Sequence, residues 1–579
     1  MQAETKHCQN CKQNFTLESD DFLFYEKINV PPPTFCPDCR AQRRMNWRNE
    51  HNLFKKKDEA TGEMIFSVYH PDSPIKIYNN EYYLSDAWDA MDYGREYDFS
   101  RSFFEQFNEL MLAVPAKSRN ISRDINSDYS NNAGDFKSCY LCFNVNNAED
   151  CAYGVRFNRM RNSYSFGTCS TSDNCYETFN ITDSSNVQNS VDCADAISVY
   201  SSIDCRNCQN CIGCVGLRNK SYYIFNNPYT KEEYAKKFKE LNLGSHAARQ
   251  NVIQQMLEIY RTFPRKYMHT MKCEDVSGDY VFGSKNVHNS WLILKSQDVK
   301  YSQDLRYTAD IFDTIVGLEL ENNSYENTAV GLGSSEIKFC FECHPANLDL
   351  EYCISCSGSS HLFGCVGLRK KQYCIFNVQY SKEEYEVLKA RIIEQMKKVP
   401  YFDTKGRAYS YGEFFPAEHS PLAYNETIAL EFFPLAKEAA LERGFIWRDP
   451  VEKDHIPTVA SQDIPDHIND VPDLYLNETI ECAHKGTCNH GCTKAFRIIR
   501  PELEFHRQKQ IPLARICPAC RYHERLQFRS PMKLFARVCS CTEQEHGHTG
   551  HCMNSFESTY SPEGKELVYC ESCYQKALI

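Results

Sequence analysis

The chain lacks any apolar run approaching the roughly 18 residues that a membrane helix needs. Met1 to Asn10 are polar and include Cys8, so no secretory core is expected there. A P-loop, a dinucleotide fingerprint and a Ser/His/Asp order are also missing, and Gly331-x-Gly333 is too slight to cradle phosphate. No small-molecule substrate is identified on these grounds. Positive charge is in deficit: 65 Lys and Arg against 77 Asp and Glu leave a net charge of −12. That balance excludes a uniformly basic nucleic-acid coat but not a local basic patch. With 25% charged and 42% apolar residues, the composition is that of an ordinary globular protein, neither disordered nor fibrous. A cytoplasmic chain is expected, and 579 residues are too many for one core.

Cysteine, by contrast, is abundant. There are 31, an odd number, which argues against a fully paired disulfide framework. In a reducing compartment such clusters mean metal or buried thiols. The N-terminal motif is Cys8-x2-Cys11-x3-Phe15, followed by Cys36-Pro-Asp-Cys39-Arg40. Two knuckles, each offering two thiolates from a tight turn, form a tetrahedral zinc pattern. It returns as Cys488-x3-Cys492-x3-Phe496 and Cys517-Pro-Ala-Cys520-Arg521. A shift of 481 positions superimposes Cys11 on Cys492, Phe15 on Phe496, Phe24 on Phe505 and Pro31 on Pro512. The same shift aligns Cys36, Cys39 and Arg40 with Cys517, Cys520 and Arg521, so these are two copies of one module.

A shorter third copy is expected from Cys552-x3-Phe556 and Cys570-Glu-Ser-Cys573, with Cys541 as its fourth ligand. Cys539, His546, His548 and His551 compete for that role, while Cys482, His484 and His490 crowd the middle copy. A second zinc in either C-terminal cluster stays open. Thiolate-rich sites are closed and structural, so about three Zn2+ ions and no catalytic residue are expected.

Between these modules runs a period of 12 residues: Cys139, Cys151, Ser163, Cys175, Val187, Val199 and Cys211. Four positions on stand Phe143, Val155, Gly167, Phe179, Val191, Ile203 and Val215. Six on stand Val145, Phe157, Cys169, Ile181, Cys193, Cys205 and Leu217. The intervening row, from Asn144 to Gly216, is polar or Gly, an alternation that predicts strands stacked coil upon coil with inward apolar rows. Ser138, Asp150, Asn162, Asn174, Asn186, Ser198 and Asn210 fit a recurrent turn. The 12-residue repeat is similar to that of insect antifreeze solenoids. However, it lacks their second cysteine per coil and their threonine face, so ice binding is not supported.

A longer repeat encloses this one. Gly213-Cys-Val-Gly-Leu-Arg218 recurs 151 residues later as Gly364-Cys-Val-Gly-Leu-Arg369, and Lys231-Glu-Glu-Tyr234 as Lys382-Glu-Glu-Tyr385. Capping boxes at Thr230/Glu233 and Ser381/Glu384 predict helices over 230–242 and 381–398, each covering the open end of a solenoid. The second solenoid reads as less regular, in clear register only near Cys353, Cys356 and Cys365. Cys205, Cys208, Cys211 and Cys214 resemble a cluster site in isolation, but Ser359 and Leu362 replace two of them in the duplicate, which favours core thiols.

The expected fold is mainly β: a tandem duplicated 12-residue-period β-solenoid with capping helices, flanked by zinc-ribbon modules at both ends. Its implied order is zinc ribbon 1 over 1–50, an α+β connector over 51–119, solenoid 1 over 120–229 and capping helices over 230–265. Solenoid 2 follows over 266–379, a capping helix over 380–400, a mixed connector over 401–480, zinc ribbon 2 over 481–540 and zinc ribbon 3 over 541–579.

Local charge departs from the average. Residues 481–537 hold 12 Lys/Arg against 4 Asp/Glu, and residues 36–57 hold 7 against 2, around Trp47. Arg40, Arg43, Arg44, Arg48, Arg521 and Arg525 are the candidate RNA or DNA contacts. The competing reading pairs Arg40 and Arg521 with carboxylates of the acidic body.

The Cys-Pro-x-Cys-Arg knuckle, with Gly-Cys-Val-Gly-Leu-Arg, Lys-Glu-Glu-Tyr, Tyr424-Asn-Glu-Thr427, Ala495-Phe-Arg-Ile498 and Val568-Tyr-Cys570, carries a resemblance over nearly the whole chain. It resembles a Cys-rich, treble-clef-like zinc-ribbon family of candidate-phyla-radiation bacteria. The resemblance implies zinc and supplies no catalytic residues. The resulting expectation is a non-enzymatic scaffold that meets a macromolecule, either RNA, a ribonucleoprotein or a protein. The alternative is a metal- or thiol-dependent enzyme centred on Cys205 to Cys214.

Overall fold

Every third residue from Asn132 to Phe225 has a left-handed backbone, with φ between 42° and 70°. The computed structural model, which describes residues 2–320, 322–449 and 456–578, shows what this spacing builds. Four such corners fall in each 12 residues, and strands pair in parallel one period on, as in Ile121↔Ala133, Phe143↔Val155 and Ile197↔Gln209. An 11-stranded ladder results, from Ile121–Ile125 to Asn227–Pro228. Left-handed corners cost energy for residues with a Cβ, least for Asn and Asp, whose short side chains bond locally. Hence the polar rows at Asn144, Asn147 and Asp150, all at positive φ.

The residue after each corner enters the core. Cys139, Cys142, Val145 and Ala148 follow Ser138, Leu141, Asn144 and Asn147, and all four are buried in one cluster with Cys205, Cys208, Cys211 and Cys214. The inward period is therefore three, not the strand alternation expected from sequence. The row from Phe143 to Val215 faces outward, correcting its expected inward direction. It is buried because other elements cover it: Phe143 and Val155 lie against Tyr522, and Phe179, Val191, Ile203 and Val215 against Met256 of helix His246–Thr262.

Inward hydroxyls join successive levels. Ser163 Oγ accepts Cys175 N–H at 3.0 Å and donates to Arg161 O at 2.7 Å. Ser202 Oγ likewise accepts Cys214 N–H at 3.1 Å and donates to Tyr200 O at 2.9 Å. Inward Ser and Cys thus satisfy polar groups inside a narrow core.

A second 11-stranded ladder runs from Thr270–Met271 to Val378–Gln379. Its register is more regular than expected: Lys285↔Gln297, Gln297↔Ala309 and Leu348↔Ser360 keep the period of 12. Between them Ile311↔Ser324 and Ser335↔Leu348 are 13 apart, which hid the pattern. Strands Lys285–Leu294 and Ala309–Leu320 run through corners, and each pairs with both Gln297–Lys300 and Gln303–Arg306, closing a four-strand parallel barrel.

Both ladders end alike. Asn226 Oδ1 accepts Val215 N–H at 2.9 Å and its Nδ2 donates to Val215 O at 2.8 Å; Asn377 and Val366 repeat both distances. A Cβ on Gly213 would stand 2.3 Å from the Phe225 ring, and on Gly364 2.8 Å from Phe376, so the repeated glycines are sterically required. Helices Lys231–Glu240 and Lys382–Lys398 follow, with the expected capping boxes. Helix Phe103–Ala113 buries Phe103, Phe107 and Leu110 against the second ladder, in one cluster with Phe363 and Phe376.

Candidate metal centres

Each cysteine module begins where a short strand ends. Glu4–His7 pairs with Asn14–Leu17, Ile480–Glu481 with Ala495–Phe496, and Phe535–Val538 with Ser555–Ser558, all antiparallel. The registers Lys6↔Phe15, Ile480↔Phe496 and Arg537↔Phe556 make Cys8, Cys482 and Cys539 equivalent. Cys11, Cys492 and Cys552 are their partners in the first knuckle, so the knuckle encloses two, nine and twelve residues in turn. The second knuckle opens a helix: Cys36, Cys517 and Cys570 are N-caps, and Cys39, Cys520 and Cys573 lie in the first turn. Pro37 and Pro518 occupy the first helical position, where a missing N–H costs nothing.

Three groups of four thiols result: Cys8/Cys11/Cys36/Cys39, Cys482/Cys492/Cys517/Cys520 and Cys539/Cys552/Cys570/Cys573, each with its sulfurs within 4.8 Å of one another. The Cys11–Cys36 sulfurs are 3.7 Å apart, Cys482–Cys520 3.8 Å, Cys492–Cys517 4.0 Å and Cys552–Cys570 4.0 Å. Sulfurs about 2.3 Å from a tetrahedral ion are separated by about 3.8 Å, so each group can hold a metal ion. Peptide N–H groups face the sulfurs: Cys517 N donates to Cys482 Sγ at 3.3 Å and Cys570 N to Cys539 Sγ at 3.2 Å. Such donors favour the thiolate form and orient the ligands.

Two expected groupings change. Cys482 replaces Cys488 in the middle set, and Cys539 replaces Cys541 in the third. Sequence shifts without gaps cannot find them, because the first knuckle is lengthened; the strand ending immediately before Cys482 and Cys539 was the available signal. Cys488 instead gathers with His484, His490 and Cys520, and Cys541 with His546 and Cys573.

The six candidate nucleic-acid arginines are all buried and ion-paired, which corrects that expectation. Arg40 meets Asp313, Arg43 meets Glu326 and Glu413, Arg44 meets Asp313 and Glu326, and Arg48 meets Glu50. Arg521 pairs with Glu502 at 3.1 Å and Arg525 with Glu177 at 2.6 Å. Burial opposes the charge on Arg40, yet Asp313 together with Tyr25 and Tyr325 offsets it, and its pKa lies above the ordinary guanidinium value. Burial is likewise outweighed at Arg43 by Glu326 and Glu413 with Tyr409, and at Arg521 by Glu502 and Glu177 with Tyr153 and Tyr176. Trp47 is buried among Phe341, Phe414 and Phe415. The local basic charge thus joins modules to ladders: Glu177, Asp313 and Glu326 are left-handed corner residues of the ladders.

Ladder thiols behave as core. Cys205, Cys208, Cys211 and Cys214 are at most 1% exposed, and their sulfurs lie 3.2–3.6 Å from the carbonyls two residues back. Among the described residues, no ladder cysteine belongs to a metal-capable group. A polar cavity of about 630 Å3, lined by Asp204, Arg218, Lys266, His269, Cys273 and Glu571, separates the end of the first ladder from the start of the second.

No family model and no curated protein matches the chain. Among solved structures, it is similar to a candidate acetyltransferase from Desulfovibrio desulfuricans G20, at 10% identity over 50% of this chain and 75% of that one. The TM-score is 0.10, so that likeness carries no argument. Among the described residues, no helix is long and apolar enough to cross a membrane.

Proposed function

We propose that this chain is a zinc-binding, non-enzymatic scaffold in which ribbon modules clamp a duplicated β-solenoid that meets a protein partner. The observation that carries the reading is the pairing of second-knuckle helices with solenoid corners. Arg40 and Arg44 reach Asp313 and Glu326, while Arg521 and Arg525 reach Ser165 and Glu177. Thirteen residues separate the first two corners and twelve the second two, one coil in each case. A thiolate-bound ion fixes the turn that starts each helix, and so the angle at which its arginines enter. Zinc suits the donors because it accepts four thiolates in a tetrahedron.

A protein partner is favoured over RNA because the arginines that sequence offered to phosphate are consumed internally. Elemental analysis of the reduced chain, scaled to its 43 sulfurs (31 Cys and 12 Met), tests the metal. Zinc without iron is expected, and a metal-free folded chain would overturn the reading. A filter-binding titration with single-stranded RNA tests the partner class. Weak binding is expected; tight, salt-sensitive binding would move nucleic acid to first place.

A further inference from the structure

The lengthened first knuckles carry more ligand-type residues than one tetrahedral ion needs. In the second module they bring His484, Cys488 and His490 to Cys520, with all four ligand atoms within 4.8 Å of one another. Cys488 Sγ lies 3.6 Å from Cys520 Sγ, near the tetrahedral edge of about 3.8 Å. The Nδ1 atoms of His484 and His490 are buried and, among the described residues, have no hydrogen-bond partner. A buried polar atom left unpaired costs about 1–3 kcal/mol, and both rings belong to the group that holds Cys488 and Cys520. Cys520, meanwhile, already belongs to the four-thiol group through Cys482, 3.8 Å away.

The third module repeats the arrangement on an unrelated insert. Cys541 Sγ is 3.2 Å from His546 Nδ1, and both gather with Cys573. His548 Nε2 lies 3.5 Å from Cys573 Sγ, while its Nδ1 faces the Gly550 carbonyl at 2.9 Å. A ring that donates Nδ1–H to a carbonyl keeps the Nε2 lone pair free for a metal. Cys573 occupies the same place in its helix as Cys520, one turn inside the second knuckle. The first module has no insert, and Asn10 Nδ2 donates to Cys39 Sγ at 3.2 Å instead.

We propose that the second and third modules each hold two divalent ions joined by a bridging thiolate, Cys520 in one and Cys573 in the other. The outer ion takes His484, Cys488, His490 and Cys520 in the second module, and Cys541, His546, His548 and Cys573 in the third. Charge favours the pair. One divalent ion on four thiolates carries a formal −2, whereas two ions on five thiolates and two neutral imidazoles carry −1. Mixed thiolate and imidazole donors suit Zn2+.

This inference rests on the proposal that the four-thiol groups hold metal, and the metal count separates the two. The full chain, purified with Zn2+ and passed through metal-free gel filtration, is expected to retain five zinc ions. H484A/H490A and H546A/H548A are each expected to retain four, and their combination three. Three ions in the unaltered chain, or a count indifferent to those substitutions, would overturn the inference and leave the scaffold reading intact. No retained ion would overturn both. The bridge is read without any substitution from the 113Cd-loaded chain by NMR: two pairs of mutually coupled resonances and one uncoupled are expected. Five uncoupled resonances would remove the bridging thiolates.

Discussion

The guanidinium of Arg40 forks onto the carboxylate of Asp313, with Nε 3.0 Å and Nη2 2.8 Å from its two oxygens, and neither side chain is exposed. The bond spans 273 residues and joins the first cysteine module to the second ladder. Arg44 shares Asp313 at 3.1 Å, and Glu326 and Arg43 extend the network. Charges so buried are stable only while paired.

Removing one partner leaves the other uncompensated. Arg40→Met is expected to destabilise by about 3–5 kcal/mol. The Arg40→Met/Asp313→Asn pair should recover part of this loss. A double-mutant cycle by chemical denaturation checks it; additive losses would show that the pair is not coupled.

Each ladder's last coil is held by one asparagine. Asn377→Ala strands the N–H and C=O of Val366, both buried, at a cost of about 1–3 kcal/mol. Faster amide exchange at Val366 and a lower melting temperature are the expected readouts. Asn226→Ala should act the same way on Val215, since its distances are identical.

The ladder thiols should tolerate conservative replacement. Cys208 is an inward residue whose sulfur faces the Arg206 carbonyl at 3.3 Å. Cys208→Ser keeps a donor at a position where other coils carry Ser172 and Ser184. Unchanged metal content and a loss within about 2 kcal/mol are expected. Loss of a metal ion on this substitution would revive the thiol-centred alternative.

Stability should fall at alkaline pH through His269. Its Nδ1 is 3.0 Å from Asp279 Oδ1, its ring stacks on Tyr280 at 4.5 Å, and Asp192 and Asp204 face it from the first ladder. Burial opposes the imidazolium, but Asp279, joined by Asp192 and Asp204, raises its pKa to about 9. Because the folded value exceeds the unfolded value of about 6.5, this contribution is full below pH 6.5 and lost as pH rises through 9. It amounts to about 3 kcal/mol at most. Thermal melts at pH 6 and pH 9.5 should show the decline, and Asp279→Asn should flatten it. A decline that persists in Asp279→Asn would assign it to another group.

Composition and spacing announce what depends on short-range geometry. Cys36-Pro-Asp-Cys39 suits a thiol-bearing helix start, since Pro fits the first helical turn and one turn separates the sulfurs. The capping boxes at Thr230 and Ser381, and the 12-residue period, are equally local. The inward period of three was also written in the chain, but Asn and Asp at its corners resembled the exposed positions of ordinary strands. Only their positive φ turns successive residues inward.

What lies outside the coils follows from long-range packing. Phe143 and Val155 are apolar because Tyr522, over 350 residues later, covers them. A one-dimensional pattern marks that they are buried, not by what. Arg521 and Arg525 looked available to phosphate because their partners, Glu502 and Glu177, lie on other elements. Cys482 and Cys539 were masked by inserts that strand pairing tolerates, since a loop between two bonded strands can lengthen without moving its ends. Sequence thus established the presence of thiol knuckles and a repeating coil, which depend on neighbours a few residues apart. Tertiary folding alone chose which thiols meet and where each arginine's charge is spent: the thiols meet across inserts that the knuckle spacing does not reveal, and Arg40 and Arg525 meet carboxylates hundreds of residues away.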